Sequence, residues 1–120
     1  MACDLDPWAI QATALNCQLN SVSVEVIEDW KTFTAEIDMI LAADFLYDSE
    51  NLPLLDQFVA RAPEVLVADS RAKLLNAPFY RKIAELDSFT VPDLSEPAEF
   101  GRVNMYYAHN SNMLNSIVKP

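Results

Sequence analysis

The chain has 120 residues, of which 52% are hydrophobic, and its formal net charge is −10. This length fits one domain with a core, and the acidic balance argues against a nucleic-acid-binding protein, which needs a basic surface. The charge permits a cationic partner, although a high net charge more often serves solubility.

The cysteine and histidine content predicts no metal site. Cys3 and Cys17 form no C-x-x-C pair, and His109 is the only histidine. Cys17 falls in a helical pattern and is expected to be a small buried side chain. Reduced thiols without a signal peptide predict a cytoplasmic protein, and no apolar run approaches the about 20 residues that a membrane helix needs.

Glycine is unusually scarce. Gly101 is the only glycine, whereas an average usage of about 7% would give about eight. Glycine-rich loops that cradle phosphates or dinucleotides are therefore excluded. A nucleotide-type fold without such a loop indicates that part of the fold is missing.

The first elements are a strand, a helix and a second strand. Met1 to Cys3 is apolar and reads as the end of a strand. Asp6 is then a helix cap and Pro7 the first helical residue, a favoured pairing. We expect the helix to run to about Leu19 and the valine-rich residues 22–27 to form the second strand.

The most informative stretch is the apolar run 37–43, which ends at Asp44. An apolar run of this length bounded by acids is typical of a buried strand of a parallel sheet. Ligands bind at the carboxyl ends of such strands, so Asp44 and Tyr47 would lie at the mouth of a site. The alternative is a helix-capping acid followed by a core tyrosine.

The next two elements are a helix and a buried strand. Pro53 opens the helix and Pro63 ends it. Its buried stripe is predicted to be Leu55, Phe58 and Val59. Residues 65–68 form a short strand that ends at Asp69-Ser70-Arg71. Asp69 and Arg71 line a substrate site or, as we favour, have structural roles.

The last part of the chain is predicted to hold a helix at 78–86, a brief strand at 89–91, an acidic loop at 93–100, an antiparallel edge strand at 102–108 and a polar tail at 109–120. Strands therefore alternate with helices until two strands come close together. This order predicts an α/β sheet that is mostly parallel with one reversed strand.

Four segments in this order resemble the class I, seven-strand S-adenosylmethionine-dependent methyltransferases. They are Ala2-Cys3-Asp4-Leu5-Asp6-Pro7-Trp8-Ala9, Asp29-Trp30, Asp44-Phe45-Leu46-Tyr47 with its Asp-x-x-Tyr motif, and Leu66-Val67-Ala68-Asp69-Ser70-Arg71. Thr90-Val91-Pro92 and the closing edge strand also fit this resemblance. The group that they resemble most is the bacterial predicted nicotinamide N-methylases, which are similar to the lysine methyltransferases of the electron-transfer-flavoprotein β subunit.

The resemblance implies a Rossmann-like methyltransferase sheet that lacks its first strand. Residues 1–108 would be the C-terminal two-thirds of the domain, without the glycine-rich loop that holds the methionine part of S-adenosylmethionine. The missing strand would lie between the strands at 1–3 and 37–43. For this reason we expect the isolated chain to bind S-adenosylmethionine weakly or not at all.

The resemblance also assigns residues to the cofactor. Asp4 would accept hydrogen bonds from the ribose hydroxyls, or be a solvated acid. Trp8 would flank the adenine, or be a core tryptophan. Asp29 and Trp30 would border the adenine, or Trp30 would plug the end of the sheet.

Asp44 and Tyr47 would be the catalytic residues. Methyl transfer depends on positioning of the nucleophile, and a carboxylate and a phenol can hold an amine by hydrogen bonds. The amine must lose its proton before attack, which a desolvated site favours. The acceptor would be an amine, with a protein lysine favoured over a small molecule.

The competing interpretation is a truncated, inactive methyltransferase-like fold that serves as a binding or self-association module. Loss of a central strand would leave exposed sheet edges, which invite pairing with another chain. A homodimer formed through these edges is therefore one expected partner arrangement.

Overall fold

The computed structural model describes residues 1–71 and 77–111. The chain divides into two compact units, 1–35 and 36–120, and each is described by itself. The helices and strands are β1 (Ala2–Cys3), α1 (Pro7–Leu19), β2 (Val26–Ile27), β3 (Met39–Ala43), α2 (Pro53–Arg61), β4 (Glu64–Asp69), β5 (Tyr80–Asp87) and β6 (Arg102–His109). Residues 112–120 of the predicted tail lie outside the described residues.

In the first unit, helix α1 begins as predicted. The Asp6 side chain accepts a hydrogen bond from the Trp8 backbone amide at 2.9 Å, and Pro7 is the first helical residue. Strands β1 and β2 pair in parallel, and β2 is shorter than the predicted 22–27.

The prediction that Cys17 is buried is wrong. Cys17 is only half-buried, and none of the 13 residues of α1 is buried. The reason is the size of the sheet, since two strands of 2 residues each offer too little surface to cover the helix.

The second unit is a four-stranded sheet in the order β3-β4-β6-β5. β3 and β4 pair in parallel, whereas β6 runs antiparallel to both of its neighbours. The mixed α/β class with one reversed strand is therefore confirmed for this unit. The predicted place of the reversed strand is wrong, because β6 lies inside the sheet and β5 forms the edge.

The predicted helix at 78–86 is also wrong, because residues 80–87 form β5. Ile83 and Leu86 have helical spacing, but the segment pairs with β6 from Tyr80 to Asp87, across one bulge. Long-range pairing thus overrides a local pattern, as it commonly does for strands.

The core of the second unit lies between α2 and one face of the sheet. Its buried side chains include Leu55, Phe58, Val59, Val65, Val67, Tyr80, Tyr106 and Ala108. The predicted stripe of α2 is confirmed. The Tyr80 hydroxyl donates to the Leu55 carbonyl at 2.7 Å and so ties β5 to α2.

The segment between β5 and β6 is a loop, so the predicted strand at 89–91 is wrong. Pro92 cannot donate to a strand ladder. Instead, the Ser88 amide closes the loop by donating to the Gly101 carbonyl at 2.6 Å.

Among the described residues, no helix combines the length and apolar character needed to cross a membrane.

Candidate functional site

The first group of predicted site residues follows β1 and β2, and we call Asp4, Asp29 and Trp30 the β1–β2 cluster. The parallel pairing brings the carboxyl ends of both strands to one edge, where the Asp4 amide donates to the Ile27 carbonyl at 3.3 Å. Asp29 follows β2 and accepts a hydrogen bond from the Lys31 amide at 2.9 Å. The Asp4 carboxylate likewise accepts a hydrogen bond from the Asp6 amide. Each carboxylate is thus held by a backbone amide two residues after it.

The Cys3 thiol lies close to all three residues. Its pKa is raised, first by partial burial of the sulfur and then by the Asp29 and Asp4 carboxylates. A hydrogen bond from the Trp30 backbone acts in the opposite direction. The structure therefore brings together three of the four residues that the sequence assigned to the cofactor.

Trp8, the fourth of these residues, lies in the first turn of α1. It is 79% exposed, so it is not a core tryptophan of this chain. Two hydrogen bonds link it to the cluster through the backbone, because the Asp6 amide donates to Asp4 and the Trp8 amide donates to Asp6, each at 2.9 Å. The indole is thus exposed to solvent, four residues after Asp4 in the chain.

The second group follows β3 and β4, and we call Asp44, Tyr47 and Ser70 the β3–β4 cluster. Asp44 and Ser70 are in contact, and Tyr47 lies three residues after Asp44 in the chain. Asp44 has a φ of 47°, a left-handed conformation that aspartate tolerates better than most residues. Its amide still donates to the Ala68 carbonyl at 3.0 Å. Its carboxylate accepts the Ser70 hydroxyl at 3.2 Å and the Ser70 amide at 3.4 Å.

Ser70 contacts the predicted site residue Asp44, although the sequence assigned no role to Ser70. The sequence does contain an indication of this contact, because Asp44 and Ser70 follow two strands that pair in parallel. Residues that follow such strands meet at one edge of the sheet. What could not be read from the sequence is which side chain after β4 turns toward Asp44.

Asp69 is the fully buried acid of the second unit. It accepts hydrogen bonds from the Leu46 amide at 3.2 Å and the Arg71 amide at 2.8 Å. These contacts support its structural interpretation, since one carboxylate holds the loops after β3 and β4 together. Arg71 in turn places its guanidinium 4.5 Å from the centre of the Phe100 ring, a cation–π distance.

Tyr47 is 68% exposed, which contradicts the alternative of a core tyrosine. Among the described residues, none makes a hydrogen bond with its hydroxyl. Its loop is nevertheless anchored, because Asn51 donates to the Phe45 carbonyl at 2.8 Å and the Phe45 ring packs edge-on against Phe58. The phenol is thus held out from an ordered loop.

The alternative of a helix-capping role for Asp44 is also contradicted. The carboxylate that caps the short helix after this loop is Asp48, which accepts the Glu50 amide at 2.9 Å. Helix α2 begins after Leu52, without a side-chain cap. Asp44 thus bonds across the sheet end to Ser70 instead of to a helix.

In chemical terms, both clusters are acceptor-rich. Within residues 1–71 and 77–111, no three histidine, cysteine or acidic side chains come together as a metal site. Carboxylates and a phenol suit the recognition of hydroxyl groups and amines.

Comparison with known proteins gives one relationship. The chain is 27% identical over 110 residues to the electron transfer flavoprotein beta subunit lysine methyltransferase of Xenopus laevis. The alignment covers 84% of this chain but 45% of that relative, so the chain spans less than half of the relative's length. No protein-family model matches the chain, and no solved structure matches it. The similarity supports a methyltransferase-like relationship.

Proposed function

We propose that this chain acts in methyl transfer from S-adenosylmethionine to an amine, with the side chain of a protein lysine as the acceptor. The observation that carries the proposal is that Asp44 and Tyr47 are both exposed and follow the same parallel strand, in a chain similar to part of a lysine methyltransferase. When bound, S-adenosylmethionine supplies a sulfonium methyl group that an amine attacks in line.

The β1–β2 cluster is assigned to the adenosine part of the cofactor. One Asp4 carboxylate oxygen is used by the Asp6 amide, and the second has no hydrogen-bond partner among the described residues. It can accept hydrogen bonds from ribose hydroxyls, as acids do after strands of dinucleotide folds. Trp8 and Trp30 offer indole faces for the adenine, and Asp29 can accept from its amino group.

The β3–β4 cluster is assigned to the amine. Ser70 donates to one Asp44 oxygen through its hydroxyl and its amide, which leaves the second oxygen to accept from an amine. An amine that donates to Asp44 and Tyr47 keeps its lone pair free for attack. Because positioning supplies much of the rate of such a displacement, loss of either acceptor lowers the rate more than it lowers substrate binding.

The test is transfer of a labelled methyl group to purified electron transfer flavoprotein beta subunit, with the protein expressed from its complete gene. We expect Asp44→Asn and Tyr47→Phe each to lower kcat by up to about 100-fold, the cost of a misplaced nucleophile. Asp38→Asn and Tyr107→Phe are matched controls, because they change an acid just before β3 and a tyrosine whose hydroxyl donates to Glu64. Full activity of both cluster variants would overturn the assigned roles.

A further inference from the structure

We propose that the loop between β5 and β6, residues 88–101, is a docking site for a basic segment of a protein partner that carries a lysine or arginine next to a large apolar side chain. This binding inference does not depend on methyl transfer. Three features of the loop support it: exposed apolar side chains, hydrogen bonds within the loop, and carboxylates that line a cleft.

The loop exposes three large apolar side chains in a short stretch. Phe89 and Val91 are each 86% exposed, and Leu94 is 65% exposed. Single exposed apolar residues are ordinary, but three of them within residues 89–94 favour an interaction surface. Covering these side chains with an apolar partner would remove them from water.

The loop backbone is ordered by its own hydrogen bonds. The Leu94 amide donates to the Thr90 hydroxyl at 3.3 Å, and the Ser95 amide donates to the Asp93 carboxylate at 2.8 Å. At its ends, the Ser88 amide donates to the Gly101 carbonyl at 2.6 Å. A surface that is already ordered loses little conformational entropy when a partner binds.

The loop contains a cleft of about 360 Å³, and its lining favours a positively charged side chain. Phe89, Pro97 and Phe100 form apolar walls, and Asp93 and Glu96 supply carboxylates. None of the lining residues is basic. Because the chain's own Arg71 guanidinium lies 4.5 Å from the centre of the Phe100 ring, the walls offered to a partner are Phe89 and Pro97. A lysine or arginine can lay its aliphatic stem along apolar surface and direct its charge to an acid. The cleft thus complements a long cationic side chain.

The same charges argue against other occupants. A phosphate backbone or an anionic membrane would be repelled by a chain of net charge −10. Pairing of two copies through this loop would set the Asp93 and Glu96 carboxylates of one copy against those of the other. A basic segment of a different protein is attracted to the Asp93 and Glu96 carboxylates.

The experiment is an NMR titration of the ¹⁵N-labelled chain with the synthetic peptide acetyl-Gly-Leu-Lys-Phe-Arg-Gly-amide. We expect saturable shift changes confined to residues 88–101. A matched peptide with glutamate in place of both cationic residues should produce none. Shift changes spread over the chain, or equal binding of the acidic peptide, would overturn the proposal.

Variants separate the two parts of the interaction. Phe89→Ser should weaken peptide binding about tenfold by removing the largest apolar contact. The double variant Asp93→Asn and Glu96→Gln should weaken peptide binding about fivefold. Added salt should weaken peptide binding to the wild type in the same way, because it screens the charges. Leu19→Ser is the control, because Leu19 is 82% exposed but lies in the first unit.

Binding of a second copy of the chain at this loop is measured by NMR spectra of the protein alone at several concentrations. Signals of the loop should not change as the protein is diluted. Concentration-dependent changes at residues 88–101 would show that a second copy occupies the cleft, and would overturn the assignment to a basic partner.

Discussion

At the scale of single residues, Asp44 shows how a chain with one glycine makes a left-handed turn at a strand end. Its φ of 47° is a conformation that glycine adopts most easily. Aspartate is tolerated there because its short side chain can bond locally, and in this chain the carboxylate bonds to Ser70. The hydrogen bond with Ser70 therefore both supports the left-handed backbone conformation of Asp44 and sets the direction of its carboxylate.

Substitutions at Asp44 can separate its structural part from its chemical part. Asp44→Asn keeps the left-handed tolerance and an oxygen for Ser70, so we expect the free energy of unfolding to change by less than about 0.5 kcal/mol. Asp44→Ala loses both and should cost about 1–2 kcal/mol. Urea unfolding measures these differences. An alanine variant as stable as the wild type would contradict this account of the turn.

Because of Tyr80, we predict that the free energy of unfolding falls at alkaline pH. Its pKa is raised, first by burial and then by the nearby Asp56 carboxylate, whereas an unfolded tyrosine titrates near about pH 10. Above that pH the unfolded chain loses a proton that the folded chain retains, so the free energy of unfolding falls as pH rises. Below it, this contribution is fully present.

The measurement is urea unfolding of the wild type and Tyr80→Phe between about pH 9 and about pH 11. The variant should be less stable by about 1 kcal/mol at neutral pH, because it loses the hydrogen bond to Leu55. Its stability should then fall less steeply with pH than that of the wild type. Tyr47→Phe is the control, since its exposed hydroxyl makes no hydrogen bond to the described residues. Parallel pH profiles for Tyr80→Phe and the wild type would refute the prediction.

At the scale of elements, the two edges of the second sheet differ in chemistry. The β5 edge carries charged residues, among them Arg81, Lys82, Glu85 and Asp87. The β3 edge carries Met-Ile-Leu-Ala-Ala, without a charge. Charged edges resist pairing with other chains, whereas an uncharged apolar edge invites it.

We predict that the chain self-associates through β3. Antiparallel pairing centred on Leu41 would set Asp38 of one chain against Asp44 of the other, so added salt should strengthen association by screening this repulsion. Sedimentation velocity over a range of concentrations measures it. Leu41→Lys should abolish dimers, whereas Leu86→Lys changes an equally apolar side chain on the other edge and should not. A monomer at every salt concentration would contradict the prediction.

The elements that the sequence predicts correctly are those with local signals. Asp6 and Pro7 mark the start of α1, the Leu55, Phe58 and Val59 stripe marks α2, and the apolar run marks β3. The place of β6 was missed because it depends on which strand pairs with β4, a contact between residues more than 30 positions apart. The contact of Asp44 with Ser70 is unpredictable from local pattern for the same reason.

At the scale of the whole molecule, the chain divides into a small unit with the β1–β2 cluster and a larger unit with the β3–β4 cluster. The core lies in the second unit, between α2 and the sheet, whereas α1 buries none of its residues. Stability measurements therefore report on the second unit, and cofactor recognition is assigned to residues of the first. Ligand binding should accordingly be followed at single residues instead of by thermal shift.

The central claim is that the acids and indoles after β1 and β2 recognise the adenosine part of S-adenosylmethionine. It is tested most directly by an NMR titration of the ¹⁵N-labelled chain with S-adenosylhomocysteine, followed at the Trp8 and Trp30 indoles and the Asp4 and Asp29 amides. The account predicts saturable changes at these four residues with a dissociation constant in the millimolar range, because the chain lacks a glycine-rich loop for the rest of the ligand. Unchanged signals at these residues in the presence of excess nucleotide would contradict it.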